Sequence, residues 1–245
     1  KAPAGMNNAT VVAGGGFRAA IRGLTPEEHR EDTLRVGKGL NDPELLEVFT
    51  EEGGSRVLEL KKFGVDMIIR EGGISVGEIP TLRGFGLTKP LVEYLKKKGV
   101  EIFENTIITK IIRNDGKVTG AIGYHVRTDE PVIFHSKAVI LATGGAGGIY
   151  RRTDCPLRTT GDGYSLAYHS GARLRDMEFV QFYPVALAEP DTPPFLLGQP
   201  LTEEGSIINR LGEDIPEKYG LRDRPLILKS RDLLSRAIME EIIDG

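Results

Sequence analysis

A run of apolar, β-type residues that ends in a glycine-dense turn restricts the fold of this chain more than any other feature. The run is Ala138-Val-Ile-Leu-Ala142, and the turn that follows is Thr143-Gly-Gly-Ala-Gly-Gly148. A short apolar run bounded by turn residues is typical of a buried strand. Glycine has no Cβ, so the backbone N–H groups of such a turn can approach a phosphate or a ring closely. We therefore expect a core strand that leads into a ligand-binding turn.

Three further segments extend this pattern. Thr160-Gly-Asp-Gly163 is a second glycine turn, and Asp176-Met-Glu-Phe-Val-Gln-Phe-Tyr-Pro184 follows it. Near the N-terminus, Asn8-Ala-Thr-Val-Val-Ala-Gly-Gly-Gly16 consists of small residues and suits a segment that lies against a ligand. A single glycine-rich loop is a weak indication of binding. Several of them in this order are far more specific.

The composition is that of an ordinary globular protein, and it excludes several classes. The 245 residues carry a net charge of −3 and a pI of about 5.9, which argues against a nucleic-acid partner or an anionic membrane surface. Cys155 is the one cysteine, so no intramolecular disulfide can form. No apolar run approaches the roughly 18 residues of a membrane span, and no metal-ligand pattern is present. We expect a cytoplasmic protein without a metal centre.

The rest of the sequence predicts helices alternating with short strands. Asn41-Asp-Pro43 marks a helix start, Gly64 a helix end, and Asn114-Asp-Gly-Lys117 a hairpin turn. Residues 66–86 are expected to be irregular. The predicted helices cover 32–64 with a division at Gly53-Gly54, 88–98, 163–170 and the segment from Arg231; the predicted strands are 100–103, 106–113, 118–126, 131–135, 138–142 and 172–180. This order indicates an α/β fold with α+β elements.

The motifs resemble those of the flavoprotein subunits of succinate dehydrogenase and fumarate reductase, and of L-aspartate oxidase. Besides the segments above, Ser230-Arg-Asp-Leu-Leu-Ser-Arg236 is similar to the family's arginine-bearing helix. The resemblance extends over nearly the whole chain. It implies a two-dinucleotide-binding FAD domain with an inserted β-meander over residues 1–187, and the start of an α+β capping domain over 188–245. It also implies an FAD-dependent oxidoreductase that transfers hydride between a small organic acid and flavin N5.

One expected part is not found in this sequence. The family's strand–GxGxxG–helix unit, whose helix N-terminus receives the FAD pyrophosphate, has no counterpart before Asn8. The chain is therefore either a fragment or a naturally shortened relative, and the fragment interpretation is favoured.

The resemblance also assigns residues to the cofactor. At Ala9 this chain lacks the histidine that carries the flavin covalently in the membrane-complex relatives, so we expect non-covalent FAD. Backbone N–H groups at the polar edge of the flavin would stabilise its reduced, anionic form. The implied cofactor-binding residues are Asn8, Ala9, Thr10, Ala13, Gly14, Gly15, Ile108, Thr143, Gly144, Gly145 and Asp162.

The implied substrate site departs from the family pattern. The family motif QFHP reads Gln181-Phe-Tyr-Pro184 here, and Tyr183 can donate a hydrogen bond but is not cationic. An ungapped alignment puts Gln199 and Thr202 at the positions of the proton-relay Glu and Arg. A gapped alternative keeps Thr202-Glu203 as the family's TE pair but deletes the arginine. Arg231 matches the family arginine that delivers the proton, so the candidate catalytic residues are Tyr183, Gln199, Thr202 and Arg231.

Two functions follow from these departures. The first is an oxidoreductase with an altered dicarboxylate site. The second is a flavin-binding or electron-transfer-complex subunit without dicarboxylate catalysis, peripheral to a membrane if its complex lies there. The resemblance further implies an electron-transfer partner subunit. An open sheet edge would also favour self-association.

Overall fold

A computed structural model describes residues 3–77, 83–192, 196–198 and 201–244. The chain divides into two compact units, which we describe separately. The first comprises residues 1–149 and 155–172, and the second comprises residues 150–154 and 173–245.

The first unit begins with helices packed around a small antiparallel sheet in the order β1-β3-β2. Its core is formed by Val65, Ile74 and Val76, all nearly inaccessible to solvent. The elements are α1 (Ala9–Val12), β1 (Gly16–Arg18), α2 (Pro26–Val36), α3 (Pro43–Glu59), a 3-10 turn (Leu60–Phe63), β2 (Met67–Arg70), β3 (Gly73–Val76) and α4 (Phe85–Lys97).

Local capping fixes where the first long helices begin. Asp42 accepts hydrogen bonds from the first-turn amides of α3, which confirms the predicted start there. Helix α2 begins at Pro26, earlier than expected, because Thr25 and Glu28 form a reciprocal capping box. The Thr-x-x-Glu spacing that produces this box is present in the sequence. Gly64 has a φ of 85° and ends the 3-10 turn, as predicted.

The predicted division of α3 at Gly53-Gly54 is wrong, because α3 is continuous from Pro43 to Glu59. The position of Gly54 explains the glycine there. A Cβ on Gly54 would lie 2.5 Å from the carbonyl oxygen of Ala20, so only glycine allows the helix to approach that backbone. This glycine serves close packing and does not break the helix.

The expectation of irregular structure over 66–86 is also wrong in part, since β2 and β3 form a hairpin there. β3 pairs with β1 on its other side, with Phe17 opposite Ile74. A Cβ on Gly73 would lie 2.1 Å from the carbonyl oxygen of Phe17, so glycine permits this pairing. Residues 78–82 lie outside the described part.

The predicted meander is confirmed. β4 (Thr106–Asn114), β5 (Lys117–His125) and β6 (Pro131–His135) form an antiparallel sheet in sequence order. At the β4–β5 turn, Asp115 and Gly116 have φ values of 47° and 78°. Positive φ at both central residues matches the right-handed twist of the flanking strands, which is why Asp-Gly predicts this hairpin.

Three predicted strands do not form: 100–103, 138–142 and 172–180. A strand requires a neighbour with which to exchange backbone hydrogen bonds, and the described ranges supply none for these segments. In the segment that was expected to be a core strand, Ile140 is 91% exposed.

Helix α5 (Asp162–His169) completes the first unit, close to the predicted bounds. The second unit contains α6 (Leu201–Glu204), α7 (Ile215–Lys218), α8 (Leu226–Lys229) and α9 (Arg231–Asp244). Its core is the cluster Leu226, Ile227 and Leu234. A short hairpin is present near Asn209, since Ile208 and Asp214 form an antiparallel bridge. The mixture of helices and sheets agrees with the predicted fold class.

Candidate functional site

The structure brings the two glycine turns of the first unit together. Gly163 faces Thr143 so closely that a Cβ on Gly163 would lie 1.9 Å from the Thr143 Oγ1. The backbone N–H of Gly148 donates to the carbonyl of Thr159 at 2.8 Å, which joins the turns at a second point. A Cβ on Gly161 would also meet the Ala146 side chain at 2.9 Å. Glycine is therefore required for this contact, which unites Thr143–Gly148 with the Thr160–Gly163 turn.

The second turn also starts helix α5. Gly161 takes the left-handed conformation immediately before the helix, with a φ of 75°. Thr160 donates its hydroxyl hydrogen to the carboxylate of Asp162 at 2.8 Å. Asp162 is exposed at the beginning of α5, where a helix presents unpaired backbone N–H groups. The predicted cofactor residue Asp162 thus lies beside the turn that contacts Thr143.

The glycines of the first turn leave an accessible backbone. Thr143, Gly144 and Gly145 are all exposed. A Cβ built on Gly145 would meet only the Tyr164 hydroxyl, at 3.9 Å, within the described structure. Space directly over a glycine backbone suits close approach of a phosphate or a flat ring. These residues therefore fit a flavin nucleotide, for which we retain Thr143, Gly144 and Gly145 as candidate contacts.

The N-terminal segment is held by other contacts. The Asn8 side chain accepts a hydrogen bond from the Val11 N–H at 3.1 Å and caps α1. Ala13 donates its N–H to the Thr10 carbonyl at 3.2 Å and accepts from Gly84 at 3.2 Å. These bonds fix the segment against the start of α4 and engage the Ala13 N–H that the sequence assigned to the cofactor.

The glycines of the N-terminal segment differ from one another. Gly15 is buried with a φ of 71°, and its Cβ would be 2.5 Å from the carbonyl oxygen of Val76. Gly14 is exposed, and no described atom lies within 4 Å of where its Cβ would be. Ala9 and Thr10 are exposed as well. Gly14, Ala9 and Thr10 remain open to a ligand, whereas Gly15 is needed for packing on β3.

Ile108 lies in β4 and is half-buried opposite Gly123. The strand register shifts between Ile108 and Lys110, so a β-bulge follows Ile108 directly. Bulges reorient the backbone of a strand locally. The contact of Ile108 with FAD stays a prediction.

In the second unit, two of the predicted catalytic residues contact each other. The guanidinium carbon of Arg231 lies 5.3 Å from the centroid of the Tyr183 ring, within the range of a cation–π interaction. The Arg231 Nε–H also donates to the carbonyl of Ile227 at 3.1 Å. Burial raises the pKa of the Tyr183 hydroxyl, while the charge of Arg231 acts in the opposite direction. Tyr183 is therefore neutral and protonated near neutral pH.

The structure says less about the other two predicted catalytic residues. Gln199 lies outside the described residues. Thr202 is only 4% exposed, in α6, and its hydroxyl has no hydrogen-bond partner within the described part. Sequence reasoning did not single out Glu203, which accepts from the Leu226 N–H at 2.6 Å and pairs with Arg224 at 3.3 Å. The gapped alignment, which keeps Thr202-Glu203 as the family's TE pair, is the sequence feature that could have identified Glu203.

Comparison with known proteins decides the family. The FAD binding domain family matches residues 2–245 of this chain. The chain belongs to the FAD-binding domain family. This confirms the family resemblance and FAD as the cofactor.

Individual relatives agree with this assignment. The FAD-binding chain is 34% identical to one of the subunits of the fumarate reductase (CoM/CoB) of Methanothermobacter marburgensis, over 96% of this chain and 46% of that protein. It is also 34% identical to L-aspartate oxidase of Synechocystis, over 94% of this chain and 44% of that protein. The chain thus spans less than half the length of these relatives.

Among solved structures, the quinol fumarate reductase of E. coli superposes with a TM-score of 0.81 at 29% identity. That alignment covers 96% of this FAD-binding chain and 44% of the other. This similarity confirms the predicted fold class.

The described residues contain neither a group of metal ligands nor a membrane-spanning helix. No group of three or more His, Cys, Asp or Glu side chains there could hold a metal ion. None of the helices that the structure describes has both the length and the apolar character that crossing a membrane requires.

Proposed function

We propose that this chain is the FAD-binding part of an oxidoreductase related to fumarate reductase and L-aspartate oxidase. The observation that carries the proposal is the close approach of Gly163 to Thr143 beside the open backbone of Gly145. It produces a turn that fits a flavin nucleotide, in a chain whose relatives include a fumarate reductase and an L-aspartate oxidase. When bound, FAD supplies hydride transfer at N5.

The residues of this chain have separate tasks in the proposal. The glycine turns bind FAD without a covalent bond, since Ala9 offers no nucleophile. The further cofactor contacts proposed are Ala9, Thr10, Gly14, Ile108 and Asp162. The sequence also assigned Asn8, Ala13 and Gly15 to the cofactor, but in this structure the Asn8 side chain, the Ala13 N–H and Gly15 are used in contacts within the protein. Residues 188–245 are proposed to begin the capping domain.

The substrate in this proposal is a small organic acid. Arg231 binds its carboxylate, because a guanidinium presents paired donors that match the two carboxylate oxygens. Tyr183 is neutral and cannot replace a cationic histidine in holding a second carboxylate. Neither Gln199 nor Thr202 can relay a proton as a Glu–Arg pair does. The dicarboxylate site is therefore altered, and the reaction differs from fumarate reduction by the family mechanism.

Anaerobic reduction tests the proposal. The full-length protein would be mixed with succinate, L-aspartate and a series of hydroxy and amino acids while the flavin absorbance is followed. Bleaching by at least one acid, weakened in Arg231→Gln, supports an oxidoreductase of organic acids. Failure of every acid in the series, with bleaching by dithionite intact, contradicts it.

One observation favours a second function, an electron-transfer-complex subunit without dicarboxylate catalysis. Tyr183 and Arg231 contact each other, so the pair has a structural use that requires no substrate. In that case the flavin would take electrons from one redox partner and pass them to another, one of the two being a partner subunit. Anaerobic reduction distinguishes the two functions, because no acid would bleach the flavin of a subunit without dicarboxylate catalysis.

A further inference from the structure

The contact between Tyr183 and Arg231 has a specific architecture. One side of the contact is apolar, since Tyr183 packs against the core cluster Leu226, Ile227 and Leu234. The ring also lies 5.3 Å from the Arg231 guanidinium carbon. The core therefore fixes the ring, and the ring is available to fix the arginine.

We propose that Tyr183 is a positioning residue, whose ring holds the Arg231 guanidinium in place to receive a carboxylate. The inference rests on the proposed function, since it takes Arg231 as the cation that binds the organic acid. It differs from a role in which the Tyr183 hydroxyl itself binds the substrate.

Within the part of the chain that the structure describes, the hydrogen bonds of Arg231 leave its terminal N–H groups available. A guanidinium carries five N–H groups, and the structure uses the one on Nε, which donates to Ile227 at 3.1 Å. No carboxylate within the described ranges forms a salt bridge with Arg231. The arginine at the next turn of α9 differs, because Arg236 pairs with Glu240 at 2.8 Å. Arg231 is held by a carbonyl and a ring, neither of which neutralises its charge.

Holding the guanidinium in advance strengthens anion binding. A free arginine loses substantial rotamer freedom when it becomes ordered on a ligand. Pre-ordering by Tyr183 removes part of that loss from the binding step. A neutral ring is also compatible with a guanidinium at this distance, whereas a protonated histidine would repel it. The tyrosine in place of histidine is thus consistent with a positioning role.

Binding of malonate, used as a small carboxylate probe, tests the idea in the full-length flavoprotein by calorimetry. Tyr183→Phe keeps the ring and should leave the malonate dissociation constant within about twofold of the wild-type value. Tyr183→Leu removes the ring and should raise the constant about fivefold, the equivalent of about 1 kcal/mol. In the Arg231→Gln background the leucine substitution should have no further effect. Tyr94→Leu, which removes the ring beneath Lys98, is the matched control and should leave the malonate dissociation constant unchanged.

Two results would overturn the proposal. Equal weakening in Tyr183→Phe and Tyr183→Leu would mean that the hydroxyl contacts the probe. A fivefold effect of Tyr183→Leu that persists in Arg231→Gln would mean that the two residues act independently.

Crystal structures of the ligand-free variants separate this inference from the proposed function. If malonate does not bind the wild-type protein, the assignment of Arg231 as the acid-binding cation fails. The positioning claim is then decided by geometry alone. A guanidinium that leaves the Ile227 carbonyl in Tyr183→Leu but not in Tyr183→Phe supports it, and an unmoved guanidinium in both overturns it.

Discussion

A Cβ on Gly163 would lie 1.9 Å from the Oγ1 of Thr143, a separation that no side chain can occupy. This close approach joins two turns that lie well apart in the sequence. It places the first turn of α5 against the end of the apolar run that precedes Thr143. The proposed FAD site depends on this contact.

Gly163→Ala should separate the two turns. Forcing a methyl group into a packed contact costs about 1–3 kcal/mol of stability, and FAD should bind more weakly because its candidate contacts move apart. Urea unfolding and FAD titration measure the two effects. Thr143→Ala removes the oxygen that would clash, so adding it to Gly163→Ala should restore part of the lost stability. Failure of this second substitution to help would contradict the role assigned to the contact.

Gly145→Ala should affect FAD binding without affecting the fold. Its Cβ would enter space in which the nearest described atom is the Tyr164 hydroxyl, at 3.9 Å. We expect the free energy of unfolding of the apoprotein to stay within about 0.5 kcal/mol of the wild-type value. The FAD dissociation constant should rise by about tenfold, or about 1.4 kcal/mol. Unchanged FAD affinity would show that the cofactor does not approach this backbone.

The adjacent glycines of α3 should respond in opposite directions to alanine. Gly53 has no described neighbour within 4 Å of its Cβ position, so Gly53→Ala should stabilise the helix by about 1 kcal/mol. Gly54→Ala should destabilise by about 1–3 kcal/mol, because its methyl group meets the Ala20 carbonyl oxygen at 2.5 Å. Urea unfolding of the two variants measures both changes in the free energy of unfolding. Similar effects of both would mean that α3 does not pack on Ala20 as described.

A comparison of the α3 glycines with the β4–β5 turn shows what the sequence could predict. The turn at Asp115 and Gly116 was predicted correctly, because hairpin geometry depends on residues that are adjacent in the chain. Gly53 and Gly54 look equivalent in sequence. The role of Gly54 depends on Ala20, which lies far away along the chain, and the prediction of a break was therefore wrong.

Distance in sequence also limited the prediction of the site. The glycine turns were recognised by composition, since glycine itself marks close approach of the backbone. The contact of Gly163 with Thr143 and that of Arg231 with the Tyr183 ring could not be predicted from sequence spacing. The strand expected at 138–142 does not form for a related reason. Strand formation depends on a neighbouring strand and not on the apolar run alone.

His29 should make the stability of the protein depend on pH. It is 3% exposed beside Phe49, and its Nδ1 has no hydrogen-bond partner in the part described. Burial lowers the pKa of His29 and the charge of Arg18 lowers it further, while Asp32 acts in the opposite direction. The unfolded chain therefore takes up a proton at higher pH than the folded protein does.

The sign of the His29 effect follows from this difference. Its contribution to the free energy of unfolding is fully present above the unfolded pKa of about 6.5 and is lost as the pH falls through the lower folded pKa. His29→Gln should flatten the stability profile between about pH 7 and pH 5. His125→Gln, at the half-buried end of β5, is the control. An equal slope in wild type and His29→Gln would exclude His29 as the source.

The most direct test of the central claim is the flavin content of the purified full-length protein. We expect a flavin absorbance band, and acid precipitation should release the flavin into the supernatant as FAD. The FAD content should be reduced in Gly163→Ala but not in Gly53→Ala. A protein that purifies colourless and takes up no added FAD would contradict the account, and so would a flavin that stays attached to the precipitate.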